Sequence, residues 1–466
     1  MRSVTMIAAA AISWPWAGPA SAVARGDAVG GTFAEVSSVS CPSAGNCAAV
    51  GELFTNSPGI NKVFVVNETQ GVWGREQQVK GLAALPKGGA TGASLTSVSC
   101  SSPGNCAAVG SYFDHVGSHP LIVNETNGTW GIAKTVALPK PDPFVYPGLD
   151  LVTCQATGDC TATGDNGQIL PFVVSEHHGS WGKAEQVPGI ASLGTRGGGV
   201  DALACASAGN CAVGGLYDDS QGNKQAFVAA EANGTWGRAR EVPGTATANK
   251  GGEAATESVS CPAPRKCLAV GFYLDSGGNI HPFISSQENG IWHHIQPVPG
   301  LASLPGTNAG EPELQWDWCA SPGNCTAVGD YVASDGMHGF DVTEKGGTWG
   351  EARKIRLGAR TRIKIMAVSC VSIGNCSAGG WFTGVRSQEV FVITETNGVW
   401  GAAHEVPGSV ALNRGGFANL YSISCGAPGQ CTAGGVYSPK SRSEEPFLVT
   451  EKDGVWGNAM RVKGLP

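Results

Sequence analysis

The sequence predicts an all-β fold made of eight equivalent units, and three observations carry that prediction. The first is a cysteine pair at one fixed spacing, Cys-x5-Cys, which occurs eight times and uses all sixteen cysteines of the 466-residue chain. The second is a tryptophan that closes every unit: Trp73, Trp130, Trp181, Trp236, Trp292, Trp349, Trp400 and Trp456. The third is glycine. There are 69, many beside these motifs, which points to tight turns rather than long helices.

The cysteine pairs are Cys41 with Cys47, Cys100 with Cys106, Cys154 with Cys160, Cys205 with Cys211, Cys261 with Cys267, Cys319 with Cys325, Cys370 with Cys376 and Cys425 with Cys431. Their first members stand 59, 54, 51, 56, 58, 51 and 55 residues apart, a period that means a solenoid, a propeller or an array. One unit parses into four strands. "LTSVSC" is strand A, "CAAVGSYF" strand B, "HPLIVNET" strand C, and "NGTWGIAKTV" is a turn running into strand D. Asn-Gly accepts the positive φ values of a two-residue type I′ turn, so C and D form a hairpin. No window holds a sustained 3.6-residue apolar period, so no helices are expected.

Four antiparallel strands repeated eight times predict an eight-bladed β-propeller with one disulfide clip per blade, set at the mouth of the A–B hairpin. A β-trefoil array or a β-solenoid does not naturally supply four strands per unit. The first strand, near Glu35, is an A and the last, near Val462, is a D. No terminal strand therefore completes another blade, and ring closure should rest on packing between blades one and eight.

The N-terminus reads as an export signal: Arg2, an apolar core, and the cleavage motif Ala20-Ser21-Ala22. Residues 1–22 are expected to be a signal peptide, 23–34 a linker and 35–466 a single propeller domain of a secreted protein. No later segment approaches transmembrane length. An oxidising compartment makes evenly paired cysteines disulfides, each small loop adding about 2 kcal/mol. Cys-x5-Cys without nearby histidines is not a zinc spacing, and no metal or cofactor is expected. A net charge of −7 supplies no field for nucleic acid. A monomer is expected.

The unit resembles the Cys-paired repeats of secreted proteins from high-GC Gram-positive bacteria, over about residues 35 to 463. The "NGTW" turn is similar to the Asp-box of sialidase-like propellers, S-x-D-x-G-x-T-W, but lacks its aspartate. That second resemblance spans four to six residues per blade and implies no sialidase chemistry.

The eight copies compare with one another. A feature in every blade serves the blade; a feature present once is a candidate for a ligand. The tryptophans are therefore expected to pack blades. Seven glutamates (Glu68, Glu125, Glu176, Glu231, Glu344, Glu395, Glu451) and Gln287 precede the tryptophans by five residues. They are expected to hold the C–D turn by accepting backbone N–H bonds. The A–B and C–D turns share one regular face, and the B–C and D–A connections the opposite, irregular one, where binding is expected.

Candidates on the irregular side are four cations followed by Gly-Gly, Lys87, Arg196, Lys250 and Arg414, whose loops could hold an anion. The sharpest departure is "ELQWDWC", where Trp316-Asp317-Trp318 replaces the usual small-apolar-small triplet. Two indoles around a carboxylate suit a sugar or cation platform; the competing reading is a local register shift with the tryptophans filling a gap between blades. Glu311 and Glu313 lie just upstream. "DSGGN" at Asp275 and "DDSQGNK" at Asp218 resemble fragments of calcium loops and equally fit hairpin turns. Familiar enzyme signatures are missing. The expected function is a secreted or cell-surface binding module for a glycan, cell-wall polymer or protein. The alternative is a glycosidase or lyase using Asp317 with Glu311 or Glu313.

Overall fold

The computed structural model describes residues 33–465 apart from 55–60, 87, 116, 139–146, 166–170, 195–196, 307–311, 356–361, 385–386 and 441–442. The expected signal peptide, nearly all of the linker, Lys87, Arg196 and Glu311 lie outside the described residues. The chain forms an eight-bladed β-propeller. In blade one, strand A is Phe33–Ser43, B is Asn46–Phe54 and C is Asn61–Thr69, in the antiparallel order A-B-C-D. The other A strands are Gly92–Ser102, Leu151–Ala156, Gly198–Ser207, Ala254–Ala263, Glu313–Ser321, Ile363–Ser372 and Ala418–Ala427.

All eight disulfides form within blades and close the A–B hairpin, with Cα–Cα distances of 3.9–4.1 Å. Cys41 bonds Cys47, Cys100 bonds Cys106, Cys154 bonds Cys160 and Cys205 bonds Cys211. Cys261 bonds Cys267, Cys319 bonds Cys325, Cys370 bonds Cys376 and Cys425 bonds Cys431. These clips are not surface features of the loop. The second cysteine of each pair (Cys47, Cys106, Cys160, Cys211, Cys267, Cys325, Cys376 and Cys431) is buried, because it opens strand B and points into a seam. Cys211 and Cys431 there lie 3.5 and 3.2 Å from the hydroxyls of Thr161 and Ser377 in the preceding blade. Each bridge thus locks its hairpin and packs one blade on the next.

The C–D turn is type I′ in character throughout, with positive φ at both central residues, as at Asn127 (50°) and Gly128 (77°). In every blade the glycine of this turn donates its N–H to the A–B loop, as Gly71 does to the Gly45 carbonyl at 2.7 Å and Gly128 to Gly104 at 2.9 Å. The two turns are thereby welded into one regular face.

Two details depart from expectation. Strand D is broken: in blade one it is Val72–Trp73 and then Gln77–Gln78, both paired with strand C. The break follows from Trp-Gly, because Gly74 turns its N–H to the Asn67 carbonyl at 2.9 Å and interrupts the ladder. Short helices also exist. Single turns at Leu82–Ala84, Ile190–Leu193, Thr245–Ala248, Leu301–Ser303 and Ser409–Leu412 occupy D–A connections, each entered through a glycine at positive φ. Three or four residues are too few to show a helical period in sequence.

Strand A is innermost, with one edge paired to B and the other facing the neighbouring blade. Among the described residues, serine hydroxyls satisfy that second edge at five of the eight seams. Ser38 and Ser40 accept the N–H groups of Val98 and Cys100 in the next blade at 3.2 and 3.0 Å. Ser97 and Ser99 do the same for Val152 and Cys154, and Ser258 and Ser260 for Asp317 and Cys319. Ser369 accepts from Cys425. The seam between blades eight and one uses the same device, Ser422 and Ser424 accepting from Val39 and Cys41 at 3.0 and 2.9 Å. Ala34 adds an N–H to the Glu444 carbonyl at 2.9 Å, and Val36, Val39 and Trp73 pack with Leu448 and Val462. Closure thus needs no exchanged strand.

The repeated tryptophans and glutamates also work across seams. Trp130 donates its indole N–H to Asn67 Oδ1 of the preceding blade at 2.9 Å, while the Asn67 amide donates to Glu125. Trp181, Asn124 and Glu176 repeat the arrangement. At the seam of blades seven and eight, Glu451 takes the hydroxyls of Thr394 and Ser377. These carboxyls therefore bind the preceding blade's side chains rather than the backbone of their own turn. A strand C residue points across the seam, which places its carboxyl beyond reach of the turn.

Replacing Ser424 by alanine is expected to cost about 1 kcal/mol, by leaving the Cys41 amide at the closing seam without its acceptor. Equilibrium unfolding in denaturant under non-reducing conditions measures it. The double replacement Cys154→Ser/Cys160→Ser is expected to cost about 2 kcal/mol in the same assay, the entropy of opening a small loop.

Candidate functional site at the axial channel mouth

Seven A strands carry a bulge four residues before the first cysteine, a register break as between Val36 and Ser38 or Thr256 and Ser258; in blade three the equivalent residue, Asp150, lies just ahead of the strand. The break pushes the carbonyl two residues upstream against strand B. A Cβ on Gly51 would lie 1.9 Å from the Glu35 carbonyl oxygen, and the equivalent contact is 2.0 Å at Gly110 and at Gly271. Hence every copy has glycine four residues after its second cysteine. The bulged residue itself is released from the ladder on the innermost strand, near the irregular face.

In chain order the bulge positions hold Ser37, Thr96, Asp150, Asp201, Glu257, Gln315, Met366 and Tyr421. Three consecutive blades thus place a carboxyl there, and these groups feel one another around the ring. Burial raises Glu257 to about 8, with the Asp201 and Glu313 charges adding to the rise and Lys364 opposing it. Burial and the Asp165 charge raise Asp201 to about 7. Asp150 is pushed well above the usual range by burial and by Asp165, whose amide donates to Asp150 Oδ2 at 3.3 Å. Asp201 Oδ2 is buried without a hydrogen-bond partner among the described residues. All three residues remain partly exposed, so solvent reaches this acidic rim.

The adjoining blade six carries the tryptophan triplet. Trp316 and Trp318 stand where other blades have the ladder serines; Trp316 is 36% exposed and Trp318 half-buried. Asp317 has a different environment. Its position is that of Val39 and Val259, whose methyls lie 3.1 Å from where a Cβ on Gly434 or Gly214 of the preceding blade would stand. Its side chain is therefore directed between blades five and six. Both carboxyl oxygens are buried without a partner among the described residues, and burial raises the group to about 7. Glu313 accepts the Gln315 amide at 2.5 Å beside the acidic rim.

Lys250 and Arg414 are exposed in D–A connections three blades apart. Their loop amides are engaged by carbonyls: Lys250 to Ala248 at 2.8 Å, Gly251 to Leu274 at 2.9 Å, Arg414 to Leu412 at 3.0 Å and Gly415 to Ser438 at 2.7 Å. These two loops offer a side-chain cation rather than a nest of N–H donors. The preceding asparagines anchor them, Asn249 and Asn413 being buried and bonded to Gln225 and Glu389 at 2.9 and 3.0 Å. The calcium-like segments close on themselves. Asp275 Oδ1 accepts the Gly277 and Asn279 amides and Asp219 Oδ1 those of Gln221 and Asn223. Among the described residues no group of acids, histidines or cysteines is arranged to hold a metal.

Comparison among the sequence copies does not single out the acidic rim, because the bulge register is invisible without pairing. The available signal is Asp150, Asp201 and Glu257, each four residues before a cysteine, where blades one and two have Ser37 and Thr96.

No family model matches the chain, and no curated protein does. Among solved structures, the chain is similar to the BP39L lectin from Burkholderia pseudomallei, with 12% identity and a TM-score of 0.45 over 78% of this chain and 98% of that one. It is similar to a polysaccharide lyase of family PL25, an ulvan lyase, with 10% identity and a TM-score of 0.43 over 76% and 91%. The Hadza microbial sialidase Hz136 matches with 10% identity and a TM-score of 0.37 over 79% and 65%. Likeness at this level extends to neither ligand nor chemistry.

The acidic rim gives a pH signature. Glu257 binds a proton more tightly folded than at its ordinary value of 4.5, so folding takes up protons between that value and about 8. Stability therefore falls as pH rises through this window. Glu257→Gln is expected to match the parent at pH 4 and to unfold at a higher temperature at pH 8, as thermal melts at pH 4, 6 and 8 will show.

Proposed function

We propose that this chain is an exported binding module that holds a glycan at the channel mouth of its irregular face. The observation that carries the reading is the adjacency, on successive inner strands, of the carboxyls Asp201 and Glu257 and the indoles Trp316 and Trp318. Indole faces stack on the apolar face of a sugar ring. Carboxyls held close to neutrality by burial both donate to and accept from hydroxyls. The export signal of residues 1–22, the eight disulfides and the resemblance to secreted Cys-paired repeats support an extracellular setting.

A glycosidase or lyase is the second reading, because acids with raised pKa sit in the same recess. Two observations favour binding over catalysis. Asp317, the acid named first from sequence, is enclosed between blades. The bulge carboxyls are all pushed up together, whereas acid/base catalysis needs one group ionised beside one neutral.

A glycan and cell-wall polysaccharide array probed with the oxidised protein tests the proposal. Binding that Trp316→Ala weakens by about tenfold or more, without turnover of the bound glycan, is the expected result. Binding unchanged by Trp316→Ala and Trp318→Ala overturns it, and release of product from a bound glycan establishes the enzyme reading instead.

A further inference from the structure

The outer edge of the ring is not uniform, and blades one and eight depart from the others at the end of strand D. Blades three, four, five and seven have Val-Pro-Gly there, with Pro188, Pro243, Pro299 and Pro407. Blades one and eight have Lys80 and Lys463 in the proline's place. The backbone duty of the position is the same in both forms. Lys80 and Lys463 offer their carbonyls to Ala133 and Glu76 of the following blade at 2.8 and 2.9 Å, as Pro243 and Pro299 do to Ile295 and Ala352. Proline serves the seam equally, so the seam does not account for the two lysines.

Both lysines are exposed, and further cations gather beside them. Lys463 forms a parallel bridge with exposed Arg75, and Lys80 one with Ile132, two residues before exposed Lys134. Lys452 crosses the closing seam as well, its ammonium donating to the Gly71 carbonyl at 3.5 Å. None of these five cations forms a salt bridge among the described residues, whereas Arg461 is held by Glu445 at 3.4 Å. The acids on the same strand D segments and turns are Glu76 and Asp453. Glu68 and Glu176 lie behind Lys452 and Lys134, buried, and burial raises both carboxyls. Aliphatic side chains stand among these charges: Val72, Val455 and Ile132 are 66, 70 and 62% exposed, and Met460 is 40% exposed. Val72 and Val455, with Val399 of blade seven, immediately precede the repeated tryptophan, where blades two, three, four and six have Thr129, Ser180, Thr235 and Thr348. Equivalent positions in neighbouring blades lie at one level of the ring, so the valines form a row where the outer edge meets the regular face. Single exposed aliphatics are ordinary, but a row interleaved with cations marks an interaction surface.

We propose that the outer edge of blades eight, one and two docks on an anionic lipid bilayer. Each lysine or arginine near an anionic leaflet is worth about a fivefold gain in affinity, and here five cations stand against two acids. Aliphatic tips enter the boundary between headgroups and chains. Four of the five cations are lysines, point charges that suit a mobile field of headgroups rather than the bidentate grip of one fixed phosphate. A polyanionic polymer satisfies the cations but has no use for the aliphatic row. Docking by the edge leaves the channel mouth of the irregular face open, so this inference stands apart from the glycan reading.

Sedimentation of the exported, oxidised protein with vesicles tests this, using phosphatidylcholine alone and an equimolar mixture of phosphatidylcholine and phosphatidylglycerol. Binding to the mixture only, weakened as salt rises, is the expected result. Lys80→Pro/Lys463→Pro installs the residue that four other blades carry and should weaken binding by about tenfold or more. Lys183→Gln/Arg240→Gln removes the same charge from blades three and four and should leave binding unchanged. Val72→Thr/Val455→Thr keeps every charge and should weaken binding by about threefold or more. Thermal melts establish that each variant is folded, and Trp316→Ala should sediment like the parent. No binding to the mixed vesicles overturns the proposal, as does binding that survives Lys80→Pro/Lys463→Pro. Soluble polyphosphate bound equally by the parent and Val72→Thr/Val455→Thr, with vesicles left unbound, makes the edge a polymer site and overturns the bilayer.

Discussion

The whole ring depends on how eight inner strands satisfy the edge they do not share with a partner strand. Each A strand pairs with B on one side and turns its other N–H groups toward the neighbouring blade. A buried amide without an acceptor is costly, and a row of them is a template for unwanted pairing. The serines of the Ser-Val-Ser-Cys segment answer this by accepting those amides from the next blade. Because the closing seam uses the same serines, the chain ends need no swapped strand to hold the circle. Each seam is then reinforced outward by apolar packing and, farther out, by the indole bonds of Trp130 and Trp181 to the preceding blade.

The same device shows where the ring is free to differ. In blade three the serine positions are Leu151 and Thr153, in blade four Ala202 and Ala204, and in blade six Trp316 and Trp318. Among the described residues no hydroxyl bond of this kind crosses from any of these blades to the next. Bulky indoles in place of hydroxyls leave Trp316 exposed and Trp318 half-buried on the inner strand. One position away, the bulge lets three successive blades direct acids at one another. Asp201 is raised by burial and the Asp165 charge, and Glu257 by burial and the Asp201 and Glu313 charges, a cost to the fold that a packing role does not explain.

On the opposite face, regularity conceals variation of a subtler kind. The glutamate five residues before each tryptophan looks like scaffold because it repeats, and its neighbours across the seam confirm that it holds blades together. Yet its oxygens are both satisfied at Glu451, whereas both at Glu68 and Glu395, and one each at Glu125 and Glu231, have no hydrogen-bond partner among the described residues.

The sequence by itself determined the blade count, the disulfide pairing, the C–D turn type and the two distinct faces. These follow from local chemistry: a six-residue separation brings Cys41 to Cys47, and positive φ at both turn residues selects Asn-Gly and its equivalents. Even the glycine after Val50 that recurs in all eight copies was legible as a pattern, though its reason, a carbonyl from the bulged strand A, was not. Tertiary structure alone decided what the side chains of strand A face. Asp317 and Trp316 are neighbours in sequence, but a strand sends successive side chains to opposite sides. The carboxyl of one is enclosed between blades, while the indole of the other, on the opposite side of the strand, is 36% exposed. Which acids meet around the axis depends on contacts between blades more than fifty residues apart, and no local pattern encodes them.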